Sequence, residues 1–237
     1  MTASPKFVLS AGMVGSGSTF LFNVIRELLI CERPRSSPLA IYSDAWDERF
    51  SGPRSLVVKC HGGSPSLLDA CKTVPLRPLV TVRHPGDSVC SDMERFGLPF
   101  AEALARVETS LIFALSLRGI APCMVLRYED GFASDPGTSI AVAGFLGIAM
   151  GMTTASEIFA KYDTAATRRL AEAVATAPDA MSNPANGDVW STTTQIHRSH
   201  IGKLVSGRWR GLPAAERKVI AIRCGTAAWP FGYVFDD

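Results

Sequence analysis

Residues 6–19 read Lys6-Phe-Val-Leu-Ser10, then Ala11, then Gly12-Met-Val-Gly-Ser-Gly-Ser-Thr19, and this join decides the fold. The short apolar run reads as a buried strand, bounded by a Gly/Ser-rich stretch. Beyond it Leu21, Val24, Ile25, Leu28 and Leu29 recur at helical spacing, which places a helix over residues 18–30. Gly15 and Gly17 let the connecting backbone turn tightly and approach a ligand closely. The helix N-terminus supplies free N–H groups and the positive end of a dipole, and Ser16, Ser18 and Thr19 add hydroxyls. A nest for a phosphate or sulfate is the expected result.

Outward from this join, apolar strands alternate with helical patterns. Residues 55–59, 79–83 and 123–127 read as strands, the second stopped by Pro85 and the first by His61-Gly62-Gly63. Helices are expected over residues 86–95, 100–118 and 136–146, the last capped by Asp135 with Pro136 at its first position. Past Gly151 the pattern is helical, then loop-like over 180–194, and a final helix spans 213–229. Strands that are nearly all apolar and alternate with helices indicate an α/β fold with a central parallel sheet flanked by helices. The 237 residues suit a single domain over 1–237, with ligands at the carboxyl ends of its strands. A mobile lid over the acceptor is expected around residues 180–200, which are rich in Asn, Pro, Gly and Thr.

Bulk properties narrow the function. A net charge of +2 argues against a general nucleic-acid or membrane-surface protein, so basic function must sit in a local pocket. Six scattered cysteines without a C-x-x-C pair argue against a zinc ribbon or a disulfide framework. Free thiols suit a reducing, cytoplasmic location. Residues 1–5 lack the features of a signal peptide, and the apolar run 20–30 is broken by Asn23, Arg26 and Glu27. The chain reads as soluble, and no ligand cluster suggests a metal.

Lys59 and His61 end the second of these strands, one residue apart, so on an extended chain they point to the same side. A cation and a titratable imidazole facing one pocket suit group transfer: Lys59 stabilises a leaving phosphate and His61 removes a proton. A surface histidine opening a Gly-Gly turn is the bland alternative for His61. Arg83 leaves the next strand, where it can clamp a phosphate bidentately, and Ser91 on the following helix can add a hydroxyl. The competing reading is an Arg83–Asp87 ion pair that only organises the turn. Gly12-x-x-x-x-Gly17-x-Thr19 also nearly matches the P-loop of nucleoside triphosphatases, but Ser18 stands where a kinase or ATPase needs lysine.

Taken in order, these segments resemble the sulfotransferases that use 3′-phosphoadenosine 5′-phosphosulfate (PAPS). Gly12 to Thr19 occupies the place of that family's G-x-P-[KR]-S-G-[ST]-T loop, and Lys59-Cys60-His61 matches its K-x-H element. Arg83-His-Pro85-Gly-Asp87-Ser-Val-Cys-Ser91 matches R-x-P-x-D-x-x-x-S, and Leu126 to Asp130 with Asp135-Pro136 matches L-R-Y-E-D before a D-P helix. Gly202-Lys203 through Gly207-Arg-Trp209 looks like the late G-K-x-x-x-G-x-W stretch, before a terminal Phe231-Gly232-Tyr233.

The resemblance implies a P-loop-like three-layer sandwich and PAPS as donor substrate without a metal. Gly15, Ser16, Gly17, Ser18 and Thr19 would hold the 5′-phosphosulfate, and Phe20 would lie against the adenine. Arg83, Ser91 and Lys203 would bind the 3′-phosphate, with Tyr128 near the base. His61 would be the general base beside Lys59, and the acceptor a small-molecule or carbohydrate hydroxyl. Val14 and Gly15 replace the family's proline and basic residue, which leaves the leaving group without its usual cation. Two other readings compete: a degenerate, non-catalytic nucleotide binder, and a P-loop small-molecule kinase.

Overall fold

The computed structural model describes residues 7–34, 36–47, 50, 54–74, 76–120, 122–184, 187–199 and 205–235. Its centre is a five-stranded parallel sheet in the order β2-β3-β1-β4-β5. The strands are β1 (Phe7–Gly12), β2 (Leu39–Tyr42), β3 (Leu56–Cys60), β4 (Leu76–Val82) and β5 (Met124–Arg127). β1 is buried along its whole length because it lies between β3 and β4. Its alternation feeds two cores. Phe7, Leu9 and Ala11 face one, shared with α2 (Pro65–Thr73), α3 (Pro85–Phe96), α4 (Phe100–Arg118) and α8 (Ala214–Ala228). Val8 faces the other, shared with α1 (Ser18–Glu32), α5 (Gly137–Leu146) and α6 (Met152–Tyr162). The expected three layers are therefore present. Among the described residues no helix is long and apolar enough to cross a membrane.

The structure departs from the sequence reading at α2, where no helix is expected, and in three further places. β2 forms on the sheet edge, where no strand is expected. β4 begins at Leu76 and runs through Pro78, whose neighbour β5 joins only from Leu79, so the proline sits where one side of the strand is open. The stretch expected as a loop is an antiparallel hairpin of β6 (Ala180–Asn183) and β7 (Asp188–Ser191), reached through α7 (Thr164–Ala173). Asp179 closes its base by accepting from the Ser191 hydroxyl at 2.7 Å and the Thr193 N–H at 2.8 Å.

β3 and β4 lie on opposite sides of β1, so the chain's winding reverses at the carboxyl end of β1. Open parallel sheets form their ligand crevice at such a point.

Candidate functional site

The loop after β1 is shaped by its glycines. Gly15 and Gly17 have φ of 72° and 82°, a region closed to most side chains. Gly17 caps α1 without a side-chain hydrogen bond, so the first N–H groups of the helix remain directed outward. A Cβ on Gly15 would come within 3.0 Å of the Ser91 hydroxyl oxygen, and one on Gly17 within 3.0 Å of the Phe132 ring. The missing side chains thus let α3 and the 132 ring close onto the loop. Ser16 turns inward: its hydroxyl donates to the Met13 carbonyl at 2.6 Å and lies 2.7 Å from Thr81 Oγ1. Its N–H also donates to Met13, at 3.2 Å. Ser16 therefore braces the loop against β4, while Gly15, Gly17, Ser18 and Thr19 line open space.

Lys59 is buried, and its ammonium donates to Thr19 Oγ1 at 2.6 Å. Burial first, and the Arg95 charge second, push it down to about 7. His61 Nδ1 lies 2.7 Å from the Gly12 carbonyl. A carbonyl can only accept, so in the neutral ring Nδ1 carries the proton and Nε2 keeps its lone pair. Burial, then the neighbouring Lys59 charge, push His61 down to about 4, which keeps the ring neutral across the physiological range. The turn after β3 is fixed by Asp44, whose Oδ1 accepts from the N–H groups of His61 at 2.7 Å and Gly62 at 3.0 Å. Lys59 and His61 line one cavity of about 1050 Å³.

A second cavity of about 330 Å³ opens on the other side of the loop, lined by Phe20, Arg83, Ser91, Tyr128 and Ser206. The Arg83 guanidinium donates to the carbonyls of Gly15 at 3.1 Å and Val205 at 3.0 Å, and its Cζ lies 4.2 Å from the Tyr128 ring centroid. Asp87 is turned elsewhere, accepting from the N–H of Gly207 at 2.7 Å and of Trp209 at 3.1 Å. The Arg83–Asp87 pair offered as an alternative is therefore not formed. Trp209 stacks on His84 with centroids 4.5 Å apart, and a Cβ on Gly86 would meet it at 2.5 Å. These contacts dock the late segment against the start of α3. Phe20 packs between Phe132 and Phe159 and also lines the cavity. Lys203, Gly202 and His200 lie outside the described residues.

Other residues at the site lie outside the motifs, and of these the sequence marks only His197, as a polar-loop residue able to contact an anionic or sugar acceptor or else solvent. The larger cavity is walled by the β6–β7 hairpin through Asn183, Asp188, Trp190, Gln195 and His197, with Tyr42 opposite. His197 Nδ1 meets Asp188 at 2.6 Å. Gln195 is the only described non-glycine residue with positive φ, 55°, a conformation that marks functional loops as well as turns. Arg95, at the end of α3, lines both cavities. A salt bridge between Asp92 and Arg106, 3.1 Å, lies beside it.

The chain has the fold of the sulfotransferases. It overlays mouse sulfotransferase SULT7A1 complexed with PAP (3′-phosphoadenosine 5′-phosphate) at a TM-score of 0.63 and 13% identity, over 94% of this chain and 84% of that one. Retinol dehydratase in complex with retinol and PAP gives 0.57 and 16%, covering 100% and 85%. The same enzyme with androsterone and inactive cofactor PAP gives 0.58 and 17%, covering 96% and 82%. At these identities the likeness is one of fold. No protein-family model and no curated protein matches the chain.

Proposed function

We propose that this chain is a single-domain, PAPS-dependent sulfotransferase acting in a reducing, cytoplasmic setting. The observation that carries the reading is the adjacency of the two cavities across one glycine loop. One is suited to a nucleotide phosphate and the other holds Lys59 and His61. The residues fit the donor: Gly15 and Gly17 line both cavities beside uncapped N–H groups, and Arg83 Nε is buried without a partner. Arg83 and Ser91 hold the 3′-phosphate, Tyr128 and Phe20 flank the base, and Ser18 and Thr19 meet the 5′-phosphosulfate.

Transfer proceeds in line. A bond forms between the acceptor oxygen and sulfur as the bond from sulfur to the bridging oxygen breaks. The electron pair leaves on the 5′-phosphate oxygen, giving PAP, and the acceptor's proton passes to His61 Nε2. Positioning and charge stabilisation carry most of the catalysis, as in phosphoryl transfer. The polar wall of Asn183, Gln195 and His197, with Tyr42 and Trp190 as ring surfaces, favours a hydroxyl on a small polar molecule or carbohydrate.

Calorimetric titration of the purified chain with PAP, in parallel with ATP and magnesium, tests the reading. PAP should bind, and Arg83→Ala should weaken it by roughly 10- to 100-fold. Tighter binding of ATP with magnesium would favour a kinase. PAP binding with no transfer to any screened hydroxyl would favour a non-catalytic nucleotide binder.

A further inference from the structure

Sulfuryl transfer gathers negative charge on the bridging oxygen, yet residues 12–19, the loop that meets the donor, contain no cation. Most cations nearby are already committed. Arg83 is held by two carbonyls and a ring, Arg26 pairs with Glu27 at 2.7 Å, and Arg106 pairs with Asp92 at 3.1 Å. Lys59 is bonded to Thr19, and at about 7 it is only partly charged near neutral pH.

Arg95 differs from all of these. It stands one helical turn beyond Ser91 on α3. The described residues common to both cavities are Gly15, Gly17, Thr19 and Arg95, so it sits where a group must cross from one space to the other. No carboxylate lies within ion-pair distance of it among the described residues, and its Nε is buried without a hydrogen-bond partner. Its guanidinium Cζ rests 4.9 Å from the Phe96 ring centroid, and that of Arg106 lies 5.0 Å from the same ring, so the aromatic face steadies the group while its Nε–H keeps no hydrogen-bond partner. A guanidinium keeps its charge at such a site.

We infer that Arg95 holds the sulfuryl group of the donor and supplies the positive charge that the glycine loop lacks. This rests on the sulfotransferase reading. In the transfer step the guanidinium contacts the sulfuryl oxygens. It takes no proton, and the electron pair still leaves on the 5′-phosphate.

PAPS and PAP differ by that sulfuryl group, so the two nucleotides separate the possibilities. Calorimetry on wild type, Arg95→Ala and Arg95→Lys should show PAPS affinity falling roughly 10- to 100-fold in the alanine variant. PAP affinity and melting temperature should hold, and lysine should restore part of the loss. Equal weakening of PAP and PAPS, or no weakening of either, overturns the assignment. If wild type binds neither nucleotide, the sulfotransferase reading falls as well, an outcome distinct from the first two.

Discussion

At the donor end of the cleft, the groups that face the ligand are main-chain atoms of residues 12–17 and side chains within one or two positions of a strand end, such as Lys59 and Arg83. At the acceptor end the wall is a hairpin of two four-residue strands, 180–191, whose lining side chains meet Tyr42 from the far edge of the sheet. The first is rigid because sheet and helix terminus fix it from both sides. The second is tied to the body by bonds such as that from Asn23 Nδ2 to the Thr194 carbonyl at 2.8 Å. A phosphate end can be specified by short-range backbone geometry, whereas an acceptor end needs tertiary assembly.

Substitutions should separate the two ends, and the largest effect belongs to chemistry. His61→Ala should slow transfer by about 10²- to 10⁴-fold in steady-state assays. It should leave PAP affinity unchanged, because the His61 ring, pushed down to about 4, carries no charge to meet the nucleotide's phosphates. A parallel loss of PAP binding would erase the proposed division. Next comes the loop. Gly17→Ala meets a positive φ and the Phe132 ring at 3.0 Å, and should cost about 1–2 kcal/mol, read as a lower melting temperature with weaker PAP binding.

Third is a pH effect confined to the donor end. Lys59 at about 7 must gain a proton to meet an anion, so PAP affinity should fall by up to about tenfold per pH unit above 7. Lys59→Met should flatten that slope. The same lysine, unfolded, holds its proton up to its ordinary 10.5, so the free protein gains stability from this group as pH rises from about 7 toward that value. The smallest change is at the hairpin. Asp179→Asn should raise the acceptor KM by about 2- to 10-fold without touching PAP binding. Burial opposes the charge on Asp179, but hydrogen bonds from Ser191 and Thr193 outweigh it and hold the carboxyl at about 2. Its contribution to hairpin stability is therefore full above about 4 and lost as pH falls toward 2.

The donor end was legible in the sequence because strand, loop and helix are contiguous there, and Gly15, Gly17, Lys59 and Arg83 each sit at an element boundary. The acceptor end was not. The strand Leu39–Tyr42 follows a Pro/Ser break and is only partly buried, so it lacks a strong apolar signature. Residues 180–191 are polar and short, and their strand form comes from pairing rather than propensity. Asp44 reads as part of a surface turn until the fold brings it beneath His61. Ser16 shows the opposite limit: a hydroxyl in a phosphate-like loop reads as a ligand group, but packing spends it on Met13 and Thr81.

Arg83 also says something about the order in which this molecule comes together. One of its donors reaches Gly15, 68 residues earlier, and the other reaches Val205, 122 residues later. Contacts between such distant parts of a chain close late and slowly, because the loop entropy must be met before they form. A chain made only as far as β5 carries Gly15 and Arg83 but not yet Val205, so on the proposed reading its nucleotide clamp is half made. On the proposed reading, competence to hold the donor is thus a property of the finished polypeptide, acquired in one of its last folding steps.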